Sequence, residues 1–211
     1  MLGIDDLPHP PRIRIVGFSG SGKSTLGRSL AATLGIAHLE EDGIHFVGTD
    51  FQVDAPEAVR RKMAHFSAQH SATGFVCDGF WRDIHGVLLP QTNVIIELDY
   101  PFHCILWRLF KRTMWRCWSG EKLWGGETRE YFTSTARLWE KDNIFGHFFR
   151  QYWDSKVRGN QDKALLRRRW VEEGWPEKSA LVTDDQVWQG ERILLRFTHP
   201  RETEDWLNGG K

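Results

Sequence analysis

The run Gly17-Phe18-Ser19-Gly20-Ser21-Gly22-Lys23-Ser24 constrains this chain more than any other segment. It follows the short β-rich stretch Arg12-Ile13-Arg14-Ile15-Val16 and opens a helical pattern from Lys23 to Leu34, with Leu26, Leu30 and Leu34 on one face. A strand that turns through glycines into a helix brings successive backbone N–H groups and the positive end of the helix onto one point, which suits phosphate oxygens. In the spacing G-x-x-x-x-G-K-S, Gly17, Ser19, Gly20, Ser21 and Gly22 form the cradle, Lys23 reaches the β and γ phosphates, and Ser24 can ligate Mg²⁺. Thr25 serves either as a hydrogen-bonding neighbour of the nucleotide or as a cap. The loop alone does not separate kinases from ATPases or GTPases.

The rest of the chain agrees with an α/β fold. Ile36 to Leu39, Phe75 to Cys77, Asn93 to Asp99 and Ile193 to Phe197 read as further strands. Between them lie helices expected over about 55–69, from a capping box at Asp54 and Glu57, and from Pro101 to about Trp118. A short helix follows Pro200. Strands separated by helices predict a three-layer α/β/α domain with a five-stranded parallel sheet. The 211 residues suffice for one such domain, with an acceptor-side segment over 40–72 and a helical, lid-like segment over 108–152. The stretch 119–132 is the natural lid.

Composition narrows the partners. With 28 basic and 28 acidic residues the formal net charge is +0, which gives no support for nucleic acid or an anionic membrane as partner. Arg167-Arg168-Arg169 is followed at once by Glu172 and Glu173 and reads as a charged helix surface. Cys77, Cys104 and Cys117 form no zinc or disulfide pattern, and residues 1–11 carry no targeting or spanning segment. A cytoplasmic protein, monomer or homodimer, is expected.

The acceptor side is read from Cys77-Asp78-Gly79-Phe80-Trp81-Arg82. An acid at the carboxyl end of a parallel strand can orient Mg²⁺ through water, and Arg82 can hold a phosphate or carboxylate of the acceptor; the plain alternative is an ordinary turn. This element resembles the D-G-[FY]-P-R run of adenylate-kinase-like P-loop kinases, with Trp81 in place of proline. The resemblance is closer to the small bacterial topology modulation (FlaR-related) proteins, through the P-loop, Asp42, Phe46, Phe51, the Asp-Gly at 78–79 and the strand and Arg- and Trp-rich helix from Ile95 to Trp118. It covers roughly 12–152 and implies a fold and a chemistry without a substrate.

The resemblance implies that Asp42 orients or deprotonates an acceptor hydroxyl, with Glu41 as substitute and His45 a weaker candidate. Arg108, Arg112 and Arg116 recur at i, i+4, i+8 and share a helix face. The resemblance puts Arg112 at the lid entrance as a phosphate ligand, with Arg116 beside it and Arg129, Arg137 and Arg150 as possible partners across the lid. A solvated basic face is the plain alternative. Of the eleven tryptophans, those between 107 and 153 are expected to pack the lid segment rather than stack on a ligand. Thr198 to Arg201 lies where related folds contact adenine. These readings converge on an ATP- and Mg²⁺-dependent transfer to a small-molecule acceptor, with Lys23, Asp42, Asp78, Arg82, Arg112 and Arg116 in the chemistry. The alternative is a nucleotide-dependent regulatory or DNA-associated module with weak ATPase activity.

Overall fold

The computed structural model describes residues 2–47, 51–79, 85–124, 129–131, 143–153, 170–172 and 179–209. β1 (Arg12–Gly17) runs into the glycine loop and α1 (Lys23–Leu34), the helix expected from the leucine spacing, which closes on Gly35 in the left-handed conformation. β2 (Ala37–Glu40) leads directly into a short helix, α2 (Glu41–His45), and then into a two-stranded antiparallel ribbon, β3 (Phe46–Val47) with β4 (Gln52–Val53). Neither α2 nor the ribbon is visible in the sequence pattern, because both are too short to show a period.

α3 (Pro56–His70) forms close to its expected span without the expected capping box. Ala55 is its N-cap residue, and Asp54 instead accepts from the Ala55 N–H at 2.8 Å and pairs with Lys62 at 2.7 Å. β5 (Phe75–Asp78), a single-turn α4 (His85–Leu88) and β6 (Val94–Leu98) follow. α5 (Phe102–Ser119) matches its prediction and ends on left-handed Gly120. Then come α6 (Ile144–Tyr152), capped by the Asn143 side chain, β7 (Ile193–Phe197) and α7 (Pro200–Leu207).

The five long strands form one parallel sheet in the order β2-β5-β1-β6-β7. Strand alternation then sorts the side chains. Ile13, Ile15, Val76, Val94 and Ile96 face the layer made by α1, α5, α6 and α7, through Leu26, Leu30, Ile105, Leu109, Phe145, Phe148 and Trp206. Phe75 and Cys77 face α3 and α4, through Val59, Met63, Val87 and Leu88. The result is the expected three-layer α/β/α arrangement. The N-terminal lead-in is more than irregular: Leu7 is buried in the α1-side core, and the Trp206 indole N–H donates to the Leu2 carbonyl at 2.8 Å. Among the described residues no helix is long and apolar enough to cross a membrane.

One charge breaks the apolar pattern. Arg14 sits in the middle of the central strand, 0% exposed, and its guanidinium pairs with Glu41, also 0% exposed. Arg14 also donates to the Gly79 carbonyl at 3.3 Å, and the Cys77 thiol lies 3.5 Å from the same Glu41 oxygen. Burial pushes the Glu41 carboxyl up, against the pull of Arg14. Removing one member of such a pair leaves the other charge buried and unpaired. R14M should therefore lose about 3–5 kcal/mol in urea unfolding, and R14M/E41L should regain most of it; an R14M protein as stable as wild type would contradict this account of the pair.

Candidate active site

The glycine loop is held from below and from one side. The Ser21 N–H donates to the Phe18 carbonyl at 3.0 Å, and the Lys23 ammonium donates to the same carbonyl at 3.2 Å. Phe18 packs on Phe148 and Tyr152 of α6, with centroids 6.1 and 5.5 Å apart. α5 lies against the loop itself: a Cβ on Gly20 would fall 2.8 Å from Leu109 Cβ and 2.9 Å from the Ile105 carbonyl, so only glycine fits there. Arg108 donates to the Ser21 carbonyl at 3.3 Å, which fastens the arginine face of α5 to the loop. Among the described residues no side chain caps α1, whose first turn follows the loop directly, so its first N–H groups are open to an outside acceptor. Ser21 Oγ is buried and has no hydrogen-bond partner among the described residues.

The carboxyl ends of β2 and β5 bring acids to this loop. Asp78 closes β5, is 2% exposed, and accepts from Ser24 Oγ at 2.9 Å. With its hydrogen given to Asp78, the Ser24 hydroxyl turns lone pairs outward, the arrangement a hydroxyl ligand of Mg²⁺ requires. Among the described residues no group of three or more His, Cys, Asp or Glu could hold a metal by itself. One hydroxyl and one carboxylate suit a cation that keeps waters and phosphate oxygens as its other ligands. The residues present therefore fit Mg²⁺ arriving with a nucleotide.

The three adjacent acids after β2 are separated by their environments. Glu41 turns into the α3 side of the sheet and pairs with Arg14, so the expectation that it substitutes for Asp42 is corrected: its carboxylate is fully buried and held in an ion pair. Glu40 accepts from the Trp124 indole N–H at 3.2 Å. Asp42, in the first turn of α2, is partly exposed and acts electrostatically on Lys23, Arg112 and His147. His45 is buried against Phe46, with ring centroids 5.5 Å apart.

Arg112 projects from α5 into the same space. It is half-buried, its buried Nε has no hydrogen-bond partner, and it makes no hydrogen bond or ion pair among the described residues. Burial and then Arg116 push its guanidinium down, while Glu130, Asp42 and Glu40 oppose the shift. Arg116 differs: it pairs with Glu130 at 3.1 Å and approaches Glu121 at 3.9 Å. Phe80, Trp81, Arg82, Arg137, Trp139 and Arg167-Arg168-Arg169 lie outside the described residues.

Aromatic residues are divided as well. Trp124 stacks on Phe46 at 5.2 Å, and Phe51 meets both edge to face, which joins the chain beyond α5 to the β3–β4 ribbon. Trp107, Trp115 and Trp118 instead stand 60%, 59% and 73% exposed on the outer face of α5, contrary to the expectation that they pack. At Thr198 to Arg201 the N–H groups of Thr198 and His199 are taken by the Glu202 carboxylate, at 2.8 and 3.2 Å.

Two site features escape sequence reasoning. His38 lies 2.6 Å from Asp78 Oδ2, and Arg108 ties α5 to the loop rather than facing solvent. Strand alternation gave a usable signal for the first, since 38 and 40 share a face of β2.

No protein-family model matches this chain, and no curated protein does. Similar solved structures include an unliganded sugar kinase from Janibacter sp., with 17% identity over 94% of this chain and 91% of that one at a TM-score of 0.44. A shikimate kinase from Acinetobacter baumannii in complex with shikimate matches at 15% identity, over 97% and 93%, with a TM-score of 0.42. A gluconokinase from Sinorhizobium meliloti matches at 14%, over 94% and 92%, with a TM-score of 0.41. Likenesses this distant leave the chemistry to the residues themselves.

The electrostatics of Lys23 give a pH test. Burial pushes its ammonium down, while Asp42 and Asp78 pull the other way. A bound phosphate stabilises the charged form and raises that pKa, so binding draws in a proton between the free and bound values. Triphosphate affinity should therefore fall as pH rises through the lowered free value. Calorimetry in alkaline buffers of differing ionisation enthalpy should show proton uptake on nucleotide binding, and zero uptake would contradict the placement of Lys23 against phosphate.

Proposed function

We propose that this protein transfers the γ-phosphoryl group of MgATP to a hydroxyl of a small-molecule acceptor. The observation that carries the proposal is Arg112, a half-buried guanidinium whose buried Nε has no hydrogen-bond partner among the described residues, next to Lys23 and above an uncapped helix N-terminus. Drawing a guanidinium even partly out of water is unfavourable unless an anion meets it. A triphosphate in the glycine loop supplies that anion. The motif likeness to the topology modulation (FlaR-related) group belongs to this reading and rests on the residues alone.

In this reading the loop N–H groups from Gly17 to Thr25 bind the α and β phosphates, and Lys23 and Arg112 bind the γ group from two sides. Mg²⁺, held on Ser24 with Asp78 through water, would neutralise the β- and γ-oxygens. The bond from the γ phosphorus to the β-bridging oxygen breaks as the bond to the acceptor oxygen forms. Asp42 orients the acceptor hydroxyl and receives its proton, late in a loose transition state that asks little of a base. Planar guanidinium groups match the charge spread over the equatorial oxygens. Arg116, held by Glu130, adds positive potential behind Arg112. Arg82 enters the reading through the sequence only, as a ligand of an anionic group on the acceptor. ATP is favoured over GTP because the chain has no N/T-K-x-D element after a strand.

Three variants test the proposal. K23A should lose turnover and most triphosphate affinity while keeping its fold. R112A should lose rate more than affinity, because its contacts strengthen as charge moves onto the transferred group. D42N should keep MgATP affinity, measured by calorimetry, and lose roughly 10²- to 10⁴-fold in acceptor phosphorylation. A nucleotide-dependent binding module predicts instead that D42N leaves ATP hydrolysis and partner binding as they were. Unchanged MgATP affinity in K23A would sink the cradle itself.

A further inference from the structure

We propose that His38 is a positioning residue that fixes the Asp78 carboxylate, and through it the Ser24 hydroxyl, in the orientation that receives a nucleotide-bound divalent cation. The inference rests on the reading of the glycine loop as a MgATP site and extends it to a residue two strands away from that loop.

Three elements meet at Asp78. From α1, Ser24 Oγ donates to Asp78 Oδ1 at 2.9 Å; from β2, His38 Nε2 meets Asp78 Oδ2 at 2.6 Å. An ionised carboxylate only accepts, so the imidazole nitrogen facing it carries the hydrogen. Each oxygen of Asp78 is thus assigned to a different donor. A carboxylate held at one oxygen alone can rotate about its terminal bond, which is broad and two-fold. Holding both fixes the plane of the group, and so fixes which way the Ser24 lone pairs point.

The backbone makes room for this contact. A Cβ on Gly27 would lie 2.5 Å from His38 Nε2 and 3.1 to 3.2 Å from the adjoining ring carbons. The imidazole therefore lies directly on α1, one turn beyond Ser24, where any other residue would push it off Asp78. Glycine in a helix interior is destabilising relative to alanine. Here that cost is matched by a specific contact. The site is enclosed, with the His38 side chain 14% exposed and the Asp78 side chain 3% exposed, so water is poorly placed to replace the imidazole.

Partners that hold a metal-site carboxylate or imidazole from behind contribute about 10- to 100-fold in metal affinity. H38L removes the donor and H38Q keeps an N–H at similar reach. Mn²⁺ is the probe: its affinity for the protein–ADP complex is read by electron paramagnetic resonance, and ADP affinity without metal is read by calorimetry in chelator. H38L should weaken Mn²⁺ binding about 10- to 100-fold and leave metal-free ADP affinity at the wild-type value. H38Q should stay close to wild type, and G27A should reproduce H38L by displacing the ring from the other side. Thermal melts of all four proteins identify any variant that does not fold, and G27A and H38Q then carry the comparison. Mn²⁺ affinity unchanged in H38L and G27A would overturn the inference. So would a fall in metal-free ADP affinity parallel to that for Mn²⁺, since His38 would then only shape the cradle. Failure of the underlying MgATP reading looks different: wild-type protein would bind neither ADP nor its Mn²⁺ complex.

Discussion

The arrangement of the three acids at the end of β2 depends on the buried pair between Arg14 and Glu41. A guanidinium in the central strand of a parallel sheet has no solvent to turn to, and its charge is met by drawing one carboxylate into the α3 side of the fold. That carboxylate is the middle one of three. Because Glu41 points inward, its neighbours Glu40 and Asp42 are left for the opposite side, towards Lys23 and Arg112. One ion pair thus converts a run of like charges, which would otherwise repel one another, into a structural acid flanked by two acids that face the glycine loop. It also links β1, β5 and α2 through Arg14, the Gly79 carbonyl and the Cys77 thiol.

The second organising element is α5. It supports the glycine loop through Leu109 and Arg108, carries Arg112 into the crevice, and delivers the chain to Trp124, which closes on Phe46, Phe51 and Glu40. The glycine loop and the segment that follows β2 are therefore bridged by one helix and one aromatic cluster.

The parts of this fold that repeat a local rule were legible in the sequence. β1, the glycine loop and α1 follow from glycine spacing and a leucine period; β6 follows from Val94-Ile95-Ile96, and α5 from an 18-residue amphipathic run. The unread parts are decided by partners distant in sequence. Whether Glu41 or Asp42 faces a ligand depends on Arg14, 27 residues earlier. Asp54 is drawn to Lys62 instead of capping α3, and Arg116 is held by Glu130 while its helical neighbour Arg112 is not. His38 looked like an ordinary strand residue because its reason for being there, Asp78, lies 40 positions away. Trp107, Trp115 and Trp118, expected to pack the lid segment, stand on the outer face of α5 instead.

The central claim is that one crevice takes the γ phosphate between Lys23 and Arg112 and an acceptor against Asp42. A crystal structure of the protein with Mg²⁺ and a non-hydrolysable ATP analogue tests it most directly. The account predicts the γ phosphate within hydrogen-bonding distance of Lys23 Nζ and the Arg112 guanidinium, with the Asp42 carboxylate facing it across a space open to a small molecule. A γ phosphate away from Arg112, with Asp42 turned aside and that space filled by Phe46, Phe51 and Trp124, would contradict it.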